Sequence, residues 1–358
     1  MSRSVIPLTL LLGPIALVGC GEDRGPTQPE GAAVPAEATA LPAFTPNTWT
    51  LKAAPPNFLL VNQASAGAFP DAAGNSVVYL LGGRADDGGG GASVATYRIG
   101  TNTWSVPSFE PRLFVFNTNG VGRVGKLLYV SGGEDFSSGS FFVDRAVWAY
   151  DPAANTLTPK APPPIPIAEG VTGVIGASLY VQPGAADTSS VPPVGYVDFD
   201  FRGLYRYNTL TDTWSTKRPS PHFHRQAAGG VIDGKLYVAG GRGNVTALDR
   251  YDPATNTWTT LAPLPVGGET RGAAILGKLL AVVGVGTTQE LRAYQYDPAH
   301  EQVDPQGRAA LSTPGLRTHH VERQAVSARG GRRPLRPVSY ESDGGVRAIT
   351  DLRTSAGR

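Results

Sequence analysis

This chain has almost no cysteine, since Cys20 is the only one among 358 residues. One cysteine excludes an intrachain disulfide and a metal site built from several thiolates. Neither sign of charge predominates: 31 Lys and Arg against 29 Asp and Glu leave a net charge of +2. No nucleic-acid partner is therefore expected. The chain has no Ser-His-Asp order, phosphate-binding glycine loop or HExxH motif. We therefore predict no cofactor, no metal site and no catalytic residues.

A membrane-spanning run is missing too, although the N-terminus is apolar from Val5 to Val18, because prolines interrupt that short stretch. With Arg3 before it and Leu17-Val18-Gly19-Cys20 at its end, it resembles a bacterial lipoprotein signal with its lipobox. The resemblance implies cleavage before Cys20 and acyl chains on that residue, which anchor the protein to the membrane. Gly21 after the cysteine implies the outer membrane, facing the periplasm or the exterior. The alternative is an ordinary secretory signal that contains a cysteine.

Glycine and proline, by contrast, are abundant, with 45 and 31 residues, and favour a turn-rich all-β chain over a helical one. Residues 21–45 are small, polar and proline-rich, so we expect a flexible tether after the signal at residues 1–20.

A phrase that starts with tyrosine recurs five times. In each copy the seventh residue after the tyrosine is Trp, Leu or Val. The copies are YRIGTNTW from Tyr97, YDPAANTL from Tyr150, YNTLTDTW from Tyr207, YDPATNTW from Tyr251 and YDPAHEQV from Tyr296. Before each phrase an apolar run ends in glycine, as in SVVYLLGG to Gly83, KLLYVSGG to Gly133 and KLYVAGG to Gly241, with weaker copies that end at Gly184 and Gly284. A continuous apolar run predicts a strand that is covered on both faces. Each unit therefore reads as four antiparallel strands.

With a period near 50 residues and Gly-Gly, Tyr and Trp in that order, the chain resembles the Kelch-repeat family from Trp49 to Val303. The resemblance implies a β-propeller, with a solenoid as the structural alternative. We predict a propeller at residues 46–345 with six blades. Trp49 would belong to a closing N-terminal strand, and residues 304–345 would form a degenerate sixth blade that lacks an apolar run. A basic tail at residues 346–358 would follow.

Arginines recur at two positions of the repeat. Arg84 and Arg242 follow a double glycine, whereas Arg112, Arg225 and Arg271 precede or open a first strand. Glu134 follows the double glycine of the second unit, and Glu169 takes the arginine's place before the third. In some Kelch propellers that bind acidic peptides, arginines at matching positions make the contacts, so the resemblance implies a ligand site at these residues. The alternative is that each arginine pairs with a neighbouring acid and holds a blade in place.

Histidines offer one further candidate. If the HFHR segment is extended, His222 and His224 lie on one face and could meet one metal, but no third ligand is evident.

The leading hypothesis is an exported, lipid-anchored binding module for a protein or carbohydrate ligand at its loop face. One alternative is a carbohydrate-modifying enzyme such as a sialic-acid-type mutarotase, in which Glu134 and an arginine would act on the sugar. Another is a structural envelope protein. The copper radical chemistry of some Kelch propellers needs a cysteine linked to a tyrosine, and here the one cysteine lies in the export signal.

Overall fold

The computed structural model describes residues 52–56, 61–71, 73–85, 93–109, 116–135, 142–188, 197–285 and 290–308. Every regular element in these ranges is a β-strand, so none of the described residues forms a helix that could cross a membrane. The strands before residue 161 are β1 (Val61–Asn62), β2 (Ser65–Pro70), β3 (Ser76–Leu81), β4 (Arg84–Ala85), β5 (Ser93–Arg98), β6 (Thr103–Phe109), β7 (Val121–Val124), β8 (Leu127–Asp135), β9 (Phe142–Asp151) and β10 (Thr156–Lys160).

The strands after residue 161 are β11 (Ile167–Ala168), β12 (Val171–Ile175), β13 (Ser178–Gln182), β14 (Ala185–Asp187), β15 (Val197–Asp198), β16 (Leu204–Asn208), β17 (Thr213–Lys217), β18 (Ala228–Ile232), β19 (Lys235–Ala239), β20 (Leu248–Asp252), β21 (Thr257–Thr260), β22 (Glu269–Ile275), β23 (Lys278–Val285), β24 (Glu290–Asp297) and β25 (Gln302–Arg308).

Among the described residues, five four-stranded antiparallel sheets carry the repeat, as the blades of a β-propeller do. Blade 1 is β2-β3-β5-β6, blade 2 is β7-β8-β9-β10, blade 3 is β12-β13-β16-β17, blade 4 is β18-β19-β20-β21 and blade 5 is β22-β23-β24-β25. Two small ladders, β1-β4 and β11-β14-β15, pair the segment before a first strand with the segment after the double glycine. The all-β fold predicted from the repeat is confirmed.

The spacing of the tyrosine phrase has a local cause. The fifth residue after each tyrosine lies in the left-handed region, with φ of 55° at Asn102 and 52° at Asp212, so it turns the chain from the third strand into the fourth. In four of the five copies the tyrosine hydroxyl donates to this side chain, as from Tyr97 to Asn102 Oδ1 at 2.6 Å and from Tyr251 to Asn256 Oδ1 at 2.8 Å. The phrase thus closes its own turn.

The same turns clamp one blade to the next. Trp214 Nε1 donates to Ala161 O at 2.7 Å, and Ala161 N donates to Asp212 Oδ1 at 2.9 Å. Because Ala161 follows β10, the end of blade 2 is tied to blade 3. We call this pair of bonds the interblade clamp.

Two further clamps repeat this geometry. Trp258 Nε1 bonds Arg218 O at 2.8 Å between blades 3 and 4, and Trp104 Nε1 bonds Ala53 O at 2.8 Å at blade 1. Ala53 therefore occupies the place that the end of a preceding blade occupies elsewhere. Trp49 itself lies outside the described residues.

The hydrophobic core lies between neighbouring blades. Each of four buried clusters draws on two consecutive blades, as where Val77 and Leu81 of blade 1 pack with Leu128 and Tyr150 of blade 2. Tyrosine pairs cross three of these interfaces: the ring centroids of Tyr129 and Tyr207, Tyr180 and Tyr251, and Tyr237 and Tyr296 are 6.0, 5.8 and 5.9 Å apart. Aromatic rings therefore fill the gaps between neighbouring sheets, where they bury large areas.

The predicted ends of the propeller are largely outside the described residues. That is so for the signal at 1–20, the tether at 21–45 and the tail at 346–358. Residues 304–308 were assigned to a sixth blade but pair with β24 as the fourth strand of blade 5. A sixth blade would therefore begin after Arg308.

Candidate functional site

Four residues that precede the first strands form a rim around a cavity. We call Gln63, Asn117, Glu169 and Gln226 the rim residues; their φ values are 59°, 49°, 58° and 53°. Backbone hydrogen bonds link them in sequence, from Asn117 N to Gln63 O at 2.9 Å, from Glu169 N to Asn117 O at 2.6 Å and from Gln226 N to Glu169 O at 2.9 Å. Left-handed backbone at residues other than glycine is costly and gathers at functional sites.

The cavity inside this rim has a volume of about 650 Å³ and is lined by the first strands of all five blades. Glycines allow the strands that form its walls to approach their neighbours closely. A Cβ at Gly230 would lie 2.5 Å from Ala274 N, and one at Gly272 would lie 1.9 Å from Leu280 O. The rim residues supply much of the polar lining, and the first strands add Arg123, Thr172 and Arg271 to walls made mainly of small residues.

A buried carboxyl pair lies at the rim. Glu134 and Glu169 are only 6% and 3% exposed, and their carboxyl groups are hydrogen-bonded to each other. Asn117 Nδ2 donates to Glu134 Oε2 at 3.0 Å. On the other side Arg225 holds Glu169 with both Nε and Nη2, the latter at 2.8 Å from Oε1. The network joins blades 2, 3 and 4.

Burial, followed by the contact with Glu169, raises the pKa of Glu134 to about 9. Burial also acts to raise the pKa of Glu169, but the hydrogen bonds from Arg225 and Glu134 outweigh it and leave that pKa below its usual value. At neutral pH the pair therefore holds one proton, on Glu134. The charge of Glu169 is balanced by Arg225.

Two other arginines at the site are less engaged. Arg242 Nε lies 3.7 Å from Glu269 Oε1, and the Arg242 side chain is 41% exposed. Arg271 lines the cavity, and its Nη1 donates to the backbone oxygens of Gln226 at 3.1 Å and Thr270 at 3.0 Å. Among the described residues no carboxylate forms an ion pair with Arg271. Three arginines against the ionised Glu169 and Glu269 leave a local charge of +1.

The structure separates arginines that the sequence treated as equivalent. Glu169 and Gln226 occupy the same place, since Gln226 N bonds Glu169 O along the rim. Arg225 precedes that place and turns to Glu169, whereas Arg271 lies within β22 opposite Val282. The predicted equivalence of Arg225, Arg271 and Glu169 is therefore wrong. Arg225 lies one residue before the place of Glu169 and Gln226, whereas Arg271 lies one residue after it, since Thr270 N bonds Gln226 O at 3.0 Å.

The remaining predicted site residues lie wholly or partly outside the described residues. Arg112 and Cys20 are not described, and only the backbone of Arg84 is, paired with Asn62 in the β1-β4 ladder. Glu134, Arg225, Arg242 and Arg271 are the predicted residues that the structure places around the rim.

The histidine pair differs from its prediction. His222 and His224 lie in the loop before β18 and not in a strand. Both imidazoles approach one atom, Asp249 Oδ2, at 2.9 and 3.0 Å. In the described part of the chain no group of three or more His, Cys, Asp or Glu could hold a metal ion.

Sequence reasoning missed four residues around the site: Gln63, Asn117, Gln226 and Asp249. Asn117 and Gln226 share a polar, unbranched character with Gln63 and Glu169, and this was the signal that could have found them. Asp249 gave no local signal, because only the fold brings β20 behind the loop of His224.

Comparison with known proteins agrees with this architecture. The Kelch motif matches residues 224–265, which run from His224 to the end of blade 4. The chain is 30% identical to Kelch-like protein 15 of Danio rerio over 119 residues, which are 33% of this chain and 18% of the relative. It is 26% identical to Kelch-like protein 36 of Rattus norvegicus over 168 residues, 46% of this chain and 25% of the relative.

A fungal relative, Kelch-like protein terF of Aspergillus terreus, is 28% identical over 163 residues, 42% of this chain and 32% of the relative. The chain thus spans a third or less of the length of these relatives. The repeated four-stranded sheets, the matched motif and these relatives together show that the chain is similar to Kelch-repeat proteins.

Proposed function

We propose that this protein is an exported, lipid-anchored Kelch propeller that binds an acidic segment of a partner protein at the rim of its cavity. The observation that carries the proposal is the guanidinium of Arg271, which lines the cavity without an ion pair in the described residues. An arginine of this kind suits a carboxylate, which accepts two of its hydrogen bonds at once.

The three arginines take different parts. Arg271 offers its unused donors to the ligand carboxylate. Arg242, half-exposed and only 3.7 Å from Glu269, contributes a second positive charge. Arg225 has a structural role, because its guanidinium already donates hydrogen bonds to Glu169. The local charge of +1 attracts an acidic ligand.

Gln226 adds a feature that suits a peptide. Its side-chain oxygen Oε1 is buried and accepts no hydrogen bond from the described residues, while the residue lines the same cavity as Arg271. A buried acceptor without a donor costs about 1–3 kcal/mol, and a peptide N–H would relieve that cost. A carboxylate with a nearby N–H donor therefore fits this rim.

Fluorescence polarisation with a labelled, end-capped Asp/Glu peptide tests the proposal on the full-length protein in detergent. Its Asn/Gln counterpart is the matched probe. Arg271→Met should weaken the acidic peptide at least tenfold, since a charged hydrogen bond contributes about 1.5–3 kcal/mol. Arg218→Met is the control, because the side chain of Arg218 is exposed and only its backbone forms a clamp.

Equal binding of both peptides, or no effect of Arg271→Met, contradicts the proposal. If the protein binds neither peptide, the structural envelope role is favoured, in which the arginines only hold neighbouring blades together.

The anchor is tested separately. We expect Cys20→Ser to abolish the incorporation of labelled fatty acid and to release the protein from the membrane fraction. Unchanged membrane attachment of Cys20→Ser would contradict lipidation and favour an ordinary secretory signal.

A sugar-acid mutarotase is the second candidate, and the carboxyl pair favours it. Two adjacent carboxyl groups whose pKa values move in opposite directions form the pattern of an acid and a base at neutral pH. An NMR assay of sialic-acid anomerisation decides the matter. Catalysis that is lost in Glu134→Gln supports this candidate, and an unchanged spontaneous rate removes it.

A further inference from the structure

A histidine–aspartate cluster is buried behind the arginines of the rim. Asp249, in β20, and His224 are both 0% exposed. Oδ2 of Asp249 meets His224 Nε2 at 3.0 Å and His222 Nδ1 at 2.9 Å, and Oδ1 accepts a hydrogen bond from Thr260 Oγ1 at 2.8 Å. His222 is 44% exposed, so His224 is the buried partner of this carboxylate.

The contacts of His224 define where its hydrogens are. Its Nδ1 lies 2.9 Å from Gly240 O, and its Nε2 faces the Asp249 carboxylate. A carbonyl oxygen and an ionised carboxylate only accept hydrogen bonds, so both ring nitrogens must donate. Two donating ring nitrogens would make His224 an imidazolium ion, paired with the buried Asp249.

Asp249 is consistent with that charge. Burial acts to raise the pKa of its carboxyl group, but the hydrogen bond and charge of His224 outweigh burial and hold that pKa below its usual value. A buried carboxylate is stable only where such partners surround it.

The imidazole links the two loops that carry arginines. Arg225 directly follows His224, while Gly240, whose oxygen His224 holds, lies two residues before Arg242. Arg242 N donates to Arg225 O at 2.7 Å, so the two loops are also joined to each other. A Cβ at Gly241 would lie 3.0 Å from Arg225 O, which shows how closely they pack.

We propose that the buried His224–Asp249 pair is the positioning element of the rim: it fixes the loops of Arg225 and Arg242 to β20 without touching the ligand. The inference rests on the proposed function, because it concerns the site that binds the acidic segment. A neutral imidazole has one N–H and satisfies either Gly240 or Asp249. Its proton therefore decides whether both loops are held.

Other charged and polar groups around this pair take defined places. His222 approaches from the same loop, Thr260 from β21, and Arg225 and Arg242 lie on the two loops. His222 meets the pair through Nδ1 alone, and its side chain is 44% exposed. The second proton is thus required of His224 alone.

NMR on the full-length chain labelled with ¹⁵N-histidine and ¹⁵N-arginine tests this directly at neutral pH. In the wild type we expect His224 to show two protonated ring nitrogens. In Asp249→Asn we expect it to become neutral, the Nε–Hε signals of Arg225 and Arg242 to move, and the affinity for the acidic peptide to fall at least fivefold. His222→Ala, which keeps His224 and Asp249, should fold and leave the two arginine signals in place.

A matched control is at hand in blade 5. His300 Nδ1 contacts Asp297 Oδ2 at 3.0 Å, which is the same chemistry at a side chain that is 74% exposed. His300→Ala should change neither the arginine signals nor the affinity.

Three outcomes overturn the inference. They are a neutral His224 in the wild type, arginine signals that stay unchanged in folded Asp249→Asn, and equal effects of Asp249→Asn and His300→Ala. If the wild type binds no acidic peptide, the proposed function fails, but the ring-nitrogen and arginine signals still decide whether the pair positions the rim.

Discussion

Blades 2, 3 and 4 differ from blades 1 and 5 in how their second strands are buried. All residues of β13 and the core of β8 and β19 are buried, whereas β3 and β23 alternate between buried and partly exposed residues. In β3 the partly exposed residues are Val78 and Leu80, and in β23 they include Leu280 and Val282. Each of blades 2, 3 and 4 lies between two described blades, whereas blades 1 and 5 each have one described neighbour. A strand between two described neighbours is covered on both faces.

The largest expected effect is at the aromatic wedges. Tyr207 in blade 3 is 0% exposed and its ring lies 6.0 Å from Tyr129, whereas Tyr97 in blade 1 is 7% exposed. Tyr207→Ala should lower the free energy of unfolding by about 4 kcal/mol, because a large cavity opens between two sheets. Tyr97→Ala should lower the free energy of unfolding by a smaller amount. Urea denaturation measures both, and equal losses would remove the distinction between inner and outer blades.

The carboxyl pair sharpens the same comparison, since it belongs to blades 2 and 3. The pKa of Glu134 is about 9 in the folded chain against a usual 4.5, so between these values the native state holds one proton more than the unfolded state. Stability then falls as pH rises from about 4.5 to about 9 and is unaffected by this group below that window.

Glu134→Gln should therefore stabilise the protein by about 3 kcal/mol at pH 7, because glutamine needs no proton to remain neutral. Thermal unfolding at pH 5, 7 and 9 provides the measurement. The variant should show a flatter profile than the wild type. If the stability of Glu134→Gln falls as steeply with pH as that of the wild type, Glu134 is ionised at neutral pH in the folded protein.

A matched pair of valines tests burial alone. Val181 in β13 is 0% exposed, whereas Val78 in β3 is partly exposed. Val181→Ala should cost about 2 kcal/mol and Val78→Ala about half as much, because less apolar surface leaves water at Val78. The ranking of the two denaturation midpoints is the readout, and a reversed ranking would contradict the burial difference.

The smallest expected effect concerns the interblade clamps. Here the loss of stability should be the same in blade 3 as in blade 1. Trp214→Phe and Trp104→Phe each remove one hydrogen bond, to Ala161 O and Ala53 O respectively. Each should cost about 1 kcal/mol. If Trp104→Phe has no effect while Trp214→Phe does, the segment of Ala53 is not clamped to blade 1. Differential scanning calorimetry resolves such shifts.

The sequence predicted the fold well because the repeat is local. The spacing from Tyr251 to Trp258 is set by the turn at Asn256, which depends only on neighbouring residues and one side-chain hydrogen bond. The glycines that end the second strands were also visible in the repeat, but part of their cause is a contact distant in the chain: at Gly132 φ is 60°, and a Cβ would lie 1.9 Å from Ile167 O.

The site was predicted less well because it depends on contacts between blades. Glu134, Glu169 and Arg225 are far apart in the chain, and no spacing shows that one carboxyl group gives its hydrogen bond to the other. Arg225 and Arg271 looked alike in sequence, yet one is neutralised and the other lines the cavity.

By itself, then, the sequence determined the repeated four-stranded unit, its turns and the aromatic residues that wedge the sheets, since short-range geometry and burial specify them. Contacts between blades settle three further points: which arginine has no ion pair among the described residues, which glutamate keeps its proton and which histidine lies buried against Asp249. Charge states depend on burial and on partners that are distant in the chain, and those come together only when neighbouring blades pack.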